Sequence, residues 1–216
     1  MKVVFERANR ILAAPLGTGP RGLLILAALL LSLVFVAPLW KLTMLAPQHP
    51  DGLRLSVYSY KLAGGNDGRD IQETNALLHS LGMRDLAKAN FSEFQWIPFV
   101  VGAVGLLLLR CAVLGNLSTI VDLLVLFAYF GLFSLWSFGF KLHEYGRNLA
   151  ATAAANAPPF APPIFGHRAA GDFEVFSFPG PGTYALLASF VLVAAAALLA
   201  RREAREGLAA EARAAG

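Results

Sequence analysis

The chain of 216 residues is 56% hydrophobic and only 15% charged, with a mean hydropathy of +0.58 and a net charge of +4. A soluble domain carries about a quarter charged residues, so this composition excludes an ordinary soluble globule and directs attention to membrane spans. The basic residues do not cluster except near one terminus, which argues against a nucleic-acid footprint, and the single cysteine, Cys111, excludes an intramolecular disulfide, covalent haem attachment and a paired-cysteine zinc site.

Residues 1–21 form a short basic N-terminal segment. The first apolar run, Gly22 to Trp40, is about long enough to cross a hydrocarbon core of roughly 30 Å. A cleaved signal peptide competes with that reading, because "MKVVFERANR" supplies a basic start. The run is long for a signal core, however, and Pro47 follows the one suitable small-residue site.

Residues 41–93 are polar. Leu53, Leu55 and Val57 alternate with Arg54, Ser56 and Tyr58, the period of a half-buried strand. "AGGNDG" turns the chain, and "DIQE" has the spacing of a capping box, with Asp70 at the cap and Glu73 three residues on. A helix over 70–81 follows, with Gly82 suited to its left-handed end and Met83 to the apolar contact beyond it. "GGNDGRD" lacks the alternating ligands and distal Glu of an EF-hand, and it lacks the phosphate-cradling Lys-Ser/Thr.

The second and third apolar runs, 94–115 and 117–140, are separated by a tight "GNLS" turn and form an antiparallel hairpin. Arg110 and Asp122 fall at the same depth on its two arms and are expected to pair at the interface. Residues 141–182 contain a Pro- and Ala-rich linker, then "FEVFSF", a strand expected to pair with Leu53–Tyr60. The fourth run, 183–200, leads into a charged tail, 201–216, which is expected to continue the helix.

Counting basic residues near the helix ends favours both termini in the cytoplasm. The inner segments then hold nine Lys and Arg in few positions. The outer segments hold nine as well, spread over about twice the length and balanced by nine acids. Trp40, Trp96 and Trp136 all fall toward the outer boundary, where amphipathic rings settle. The expected fold is an all-α membrane protein: a four-helix transmembrane bundle in a bacterial inner membrane, with a small α+β extracytoplasmic cap of two or three strands and one helix.

All four histidines, His49, His79, His143 and His167, lie in the outer segments. His79 and Met83 are four apart, so a helix brings them toward one face. Imidazole with thioether is a soft ligand set suited to copper, and Met44 and His49 of the membrane-proximal loop are the candidates to complete it. The competing reading makes His79 a surface residue and Met83 a helix-end contact. No histidine lies in a span, which argues against a b-type cytochrome. No Gly-x-Ser-x-Gly elbow is present, and Cys111 is separated from every histidine, so no catalytic residue is assigned.

The stretch "HPDGLRLSVYSYKLAGGNDGRDIQETNALLHSLGM", with "FSEFQWIPF" and "PPIFGH", resembles a poorly characterised family of bacterial multi-pass inner-membrane proteins. That family is associated with copper-dependent respiration, of the nitrous-oxide reductase accessory type. It reads Asn-x-Leu-Asn-His-Tyr-Ile-Gly-Met where this chain has "NALLHSLGM": Asn75, Leu77, His79, Gly82 and Met83 match, while Leu78 and Ser80 depart. The resemblance implies a non-enzymatic accessory protein that aids copper supply or maturation of a respiratory metalloenzyme, with His79, Met83 and His49 as metal ligands. The partners expected are the lipid bilayer and a membrane or periplasmic protein. A structural subunit of a larger complex and a small transporter are the alternatives. Gly102, Gly105, Gly131 and the Ala-rich fourth run provide small helix faces for packing.

Overall fold

The computed structural model describes residues 9–80, 93–147, 163–170 and 173–214. Four stretches are helical, long and apolar enough to cross a membrane: Thr18–Phe35, Glu93–Leu114, Leu117–His143 and Pro181–Glu211. Helix α1 (Thr18–Ser32) runs into a tighter turn at Leu33–Phe35. It therefore starts and stops earlier than the hydropathy of 22–40 predicts. The stop has a local cause: Pro38 offers no amide donor and disfavours helical geometry at Ala37.

Trp40, expected to close the first span, instead opens strand β1 (Trp40–Ala46). Strands β2 (His49–Val57) and β3 (Leu62–Gly64) follow, then helix α2 (Arg69–Ser80). Helices α3 (Glu93–Leu114) and α4 (Leu117–Arg147) form the expected hairpin. Helix α4 continues past residue 140, where the apolar run ends. Strands β4 (Gly166–Ala170) and β5 (Phe173–Pro179) lead into helix α5 (Pro181–Ala214), which carries the charged tail as expected. Pro181 suits the first helical position, where no amide partner is lost.

The five strands make one antiparallel sheet in the order β3-β2-β1-β5-β4. The sheet is therefore richer in strands than the expected two or three. Strand β5 pairs with β1, Met44 opposite Val175 and Trp40 opposite Pro179, and not with β2 as the sequence suggests. Strand β2 is flanked instead by β1 and β3. The deciding pattern is the alternation in "WKLTMLA". Trp40, Leu42 and Met44 share one face with Leu53, Leu55, Val57, Val175 and Ser177, and Met44, Leu53, Leu55, Val175 and Ser177 are buried. With β1 in the centre, these side chains line one face.

The chain divides into two compact units. The first comprises Met1–Leu33, Val100–Gly131 and Ala185–Gly216, and the second Val34–Phe99 and Leu132–Tyr184. In the helical unit the core is Leu24, Leu31, Val101, Val104, Leu108, Ile120, Phe127 and Val193, all buried. Phe127 meets Phe190 edge-on at 5.7 Å, and Ser189 Oγ donates to the Ala27 carbonyl at 2.8 Å. In the sheet unit, Trp40 packs on Phe138 of α4 at 5.1 Å and its Nε1 donates to Ser177 Oγ at 2.8 Å. Ser177 Oγ in turn donates to the Ile164 carbonyl at 3.0 Å, so the buried hydroxyl is satisfied in both directions.

Candidate functional site

Helix α2 is held on the sheet by a turn whose backbone is left-handed at three successive residues, Asn66 (φ 49°), Asp67 (φ 57°) and Gly68 (φ 88°). Asn and Asp tolerate that region better than other side chains, and Gly has no Cβ to clash. The turn is fixed by Asp70, which is 1% exposed. Its Oδ2 accepts from the Arg54 amide of β2 at 2.9 Å and its Oδ1 accepts from Asn66 Nδ2 at 2.8 Å. Gly65 N also donates to the Arg54 carbonyl at 2.8 Å, so α2 is tied at its start to the middle of β2.

This geometry replaces the predicted capping box. Asp70 lies inside the first turn and reaches across to a strand, and Glu73 meets a residue of β2. The Glu73 carboxylate lies 3.3 Å from His49 Nδ1. His49, expected in a membrane-proximal loop, is the first residue of β2, opposite Ala46. The pair is half-exposed on both sides, and contributes at most about 1 kcal/mol to stability as an ion pair.

His79 is exposed in the last turn of α2. Glu73 and His79 are six residues apart, about 9 Å along the axis and two-thirds of a turn around it. His49 thus meets a different stripe of α2 from the one that carries His79. Gly82 and Met83, the far half of the matched motif, lie outside the described residues. Among the described residues no group of three or more His, Cys, Asp and Glu is placed to hold a metal ion.

The other two histidines are apart from this corner. His143 is exposed near the end of α4, and His167 of β4 stacks on Phe176 at 5.7 Å. Sequence reasoning missed the Trp40–Ser177 hydrogen bond and the inward carboxylate of Asp70. The first had a signal in the alternation of β1. The second had none, because a buried Asp beside a turn reads the same as a capping one.

In the helical unit, Arg110 and Asp122 do not pair as the sequence suggests; both are exposed. The start of α4 is capped by Asn116, whose Oδ1 accepts from Thr119 N at 3.0 Å and Thr119 Oγ1 at 2.8 Å. With its first turn satisfied in this way, the helix makes no local demand on Asp122. Pro15 bridges to Asn116, and the Glu203 carboxylate of α5 occupies the space where a side chain at Gly17 would stand. The N-terminal segment, the α3–α4 turn and the start of the tail therefore meet at one end of this unit. No protein-family model, curated protein or solved structure matches the chain.

Proposed function

We propose that the chain is a multi-pass protein of a bacterial inner membrane, with both termini cytoplasmic, and that it works as a non-enzymatic accessory subunit through its extracytoplasmic sheet. One observation carries this reading: the sheet is assembled from both polar segments and fastened directly to helix ends. Gly180 N donates to the Leu39 carbonyl at 2.7 Å, Gly182 N to the Pro38 carbonyl at 2.9 Å, and Thr183 Oγ1 also to Leu39. Ser59 Oγ donates to the Val34 carbonyl at 3.2 Å. A sheet that shares one compact unit with the first turn of α5 and the turn after α1 suits a docking platform.

Labelling with a membrane-impermeant maleimide tests the topology. Cys111, the chain's one native thiol, is buried and gives little background. Lys61→Cys should label from the periplasm and Arg213→Cys only after lysis; the reverse pattern rejects the orientation. Purification from native membranes tests the accessory role. A stoichiometric partner should co-purify and be lost with Val175→Asp, which puts a carboxylate in the buried face, while the variant stays in the membrane. A partner that is retained by that variant rejects the sheet as the working part.

Copper supply is the second reading, and His49 favours it. A carboxylate on Nδ1 orients an imidazole and leaves Nε2 to face a metal, the usual outer-shell arrangement of a ligating histidine. Because His79 lies on another stripe of α2, one soft site with His79 and Met83 would require His49 to reach across from the stripe of Glu73. Titration with Cu(I) should give near-stoichiometric binding that is abolished in His79→Ala/Met83→Ala and weakened about 10- to 100-fold in Glu73→Gln. Binding that survives both variants removes the site. The transport reading draws no support: among the described residues the buried polar side chain of the helical unit is Ser189, already bonded to Ala27.

A further inference from the structure

On three helices of the helical unit, an exposed arginine stands within or at the end of an exposed apolar stripe, near one end of the unit. On α1 the stripe is Leu29 and Ile25, leading to Arg21. On α3 Arg110 stands among Leu106, Val113 and Leu114, which are 71%, 66% and 78% exposed. On α5 Val191 and Leu198 lead to Arg201. The three arginines lie at similar levels. Arg21 is four residues beyond Gly17, which faces Glu203, and Arg201 is two residues before Glu203. Arg110 is six residues before Asn116, which bridges to Pro15. At 1.5 Å per residue these offsets amount to about 3–9 Å from the end of the unit.

A guanidinium stays charged at any physiological pH and has a fork of donors to satisfy. Among the described residues none of the three forms an ion pair. The nearby acids are placed otherwise: Glu206 pairs with Arg202 at 2.8 Å, Glu203 lies against the start of α1, and Asp122 is exposed without meeting Arg110. The unit as a whole carries nine basic residues against five acidic ones. Side chains that leave an apolar surface within one reach of its edge, with no anion of their own, are free to take an external one. We propose that Arg21, Arg110 and Arg201 form a collar that binds the phosphates of anionic glycerophospholipids. This rests on the membrane reading above. Each guanidinium takes two phosphate oxygens while its methylenes lie along the acyl chains. Anionic headgroups are preferred because a zwitterionic lipid already neutralises its phosphate with its own ammonium group.

The test uses the full chain in a neutral maltoside detergent, with phosphatidylglycerol, phosphatidylcholine or inorganic phosphate added. Native mass spectrometry and thermal shift provide the readouts. Phosphatidylglycerol should stay bound and raise Tm, with affinity falling about fivefold for each arginine changed to Gln, and falling further with salt. Phosphatidylcholine and inorganic phosphate should do neither. A triple Gln variant that keeps the phosphatidylglycerol shift overturns the collar, as does an equal response to phosphatidylcholine. A matching response to inorganic phosphate would make it a free-oxyanion site and overturn the lipid assignment. If the triple variant does not fold, the single Arg110→Gln decides by the same fivefold criterion. Carbonate extraction separates the two readings. A protein released by carbonate refutes membrane insertion, while a resistant one without lipid preference refutes the collar alone.

Discussion

Asp70 is a buried side chain on which several contacts of the sheet unit converge. Its two oxygens hold a strand amide and the left-handed turn, while its own carbonyl accepts from Thr74 Oγ1, itself buried. Asp70→Ala leaves the Arg54 amide without its acceptor. It should destabilise the unit by about 1–3 kcal/mol, read as a lower thermal midpoint and faster proteolysis near residues 61–69. Asp70→Asn keeps one acceptor and should cost less. Ser177 makes a parallel case: Ser177→Ala strands the Trp40 indole, and a shift in tryptophan emission with a loss of about 1 kcal/mol is the expected result. At this scale the sequence misleads. Asp70 and Glu73 have capping-box spacing, but the fold sends one to β2 and the other to His49. Spacing along a chain cannot reveal which of two partners a carboxylate chooses when the second arrives with another strand.

Elements were more legible. Four apolar runs in the sequence correspond to four helices, the "GNLS" turn is a hairpin with Asn116 at its cap, and the helix expected at 70–81 spans 69–80. The errors fall where an apolar run leaves a helix without becoming polar, as at Trp40, because hydropathy cannot tell a span end from a strand with one buried face. The pairing of β5 escapes the sequence for a related reason: local alternation identifies a strand but not its neighbour. Two junctions test the element scale. At Gly182 a Cβ would stand 2.8 Å from the Ala37 carbonyl oxygen, so Gly182→Ala should lower the thermal midpoint by several degrees and loosen the β5–α5 junction. At the other end, Glu203 places its carboxylate beside the start of α1, whose Gly17 cap makes no side-chain hydrogen bond. Glu203→Gln should cost about 0.3–1 kcal/mol, with a smaller penalty in high salt.

At the scale of the whole molecule, charge and aromatic content divide along the same line as the contacts. All four histidines and all three tryptophans belong to the sheet unit, whose acids and bases balance, whereas the helical unit carries the excess of arginine. That division was legible in the sequence, because the two long polar segments hold the histidines and the balanced charges while the short ones hold the excess of arginine. The sheet itself was not legible at this scale, since two of its five strands come from a segment more than a hundred residues downstream of the other three.

This separation dictates an order of assembly. Strand β1 is the third in from the sheet edge that begins with β3, yet its other neighbour, β5, emerges only after α3 and α4 have been made. Until then the growing chain exposes an open row of amides and carbonyls along Trp40–Ala46, beside an unburied Met44 and Leu42. A nascent chain halted between residues 147 and 173 should therefore be a better client for chaperones and proteases than one halted before residue 40 or after residue 179. Closure of the β1–β5 seam is the step at which synthesis of this protein becomes safe.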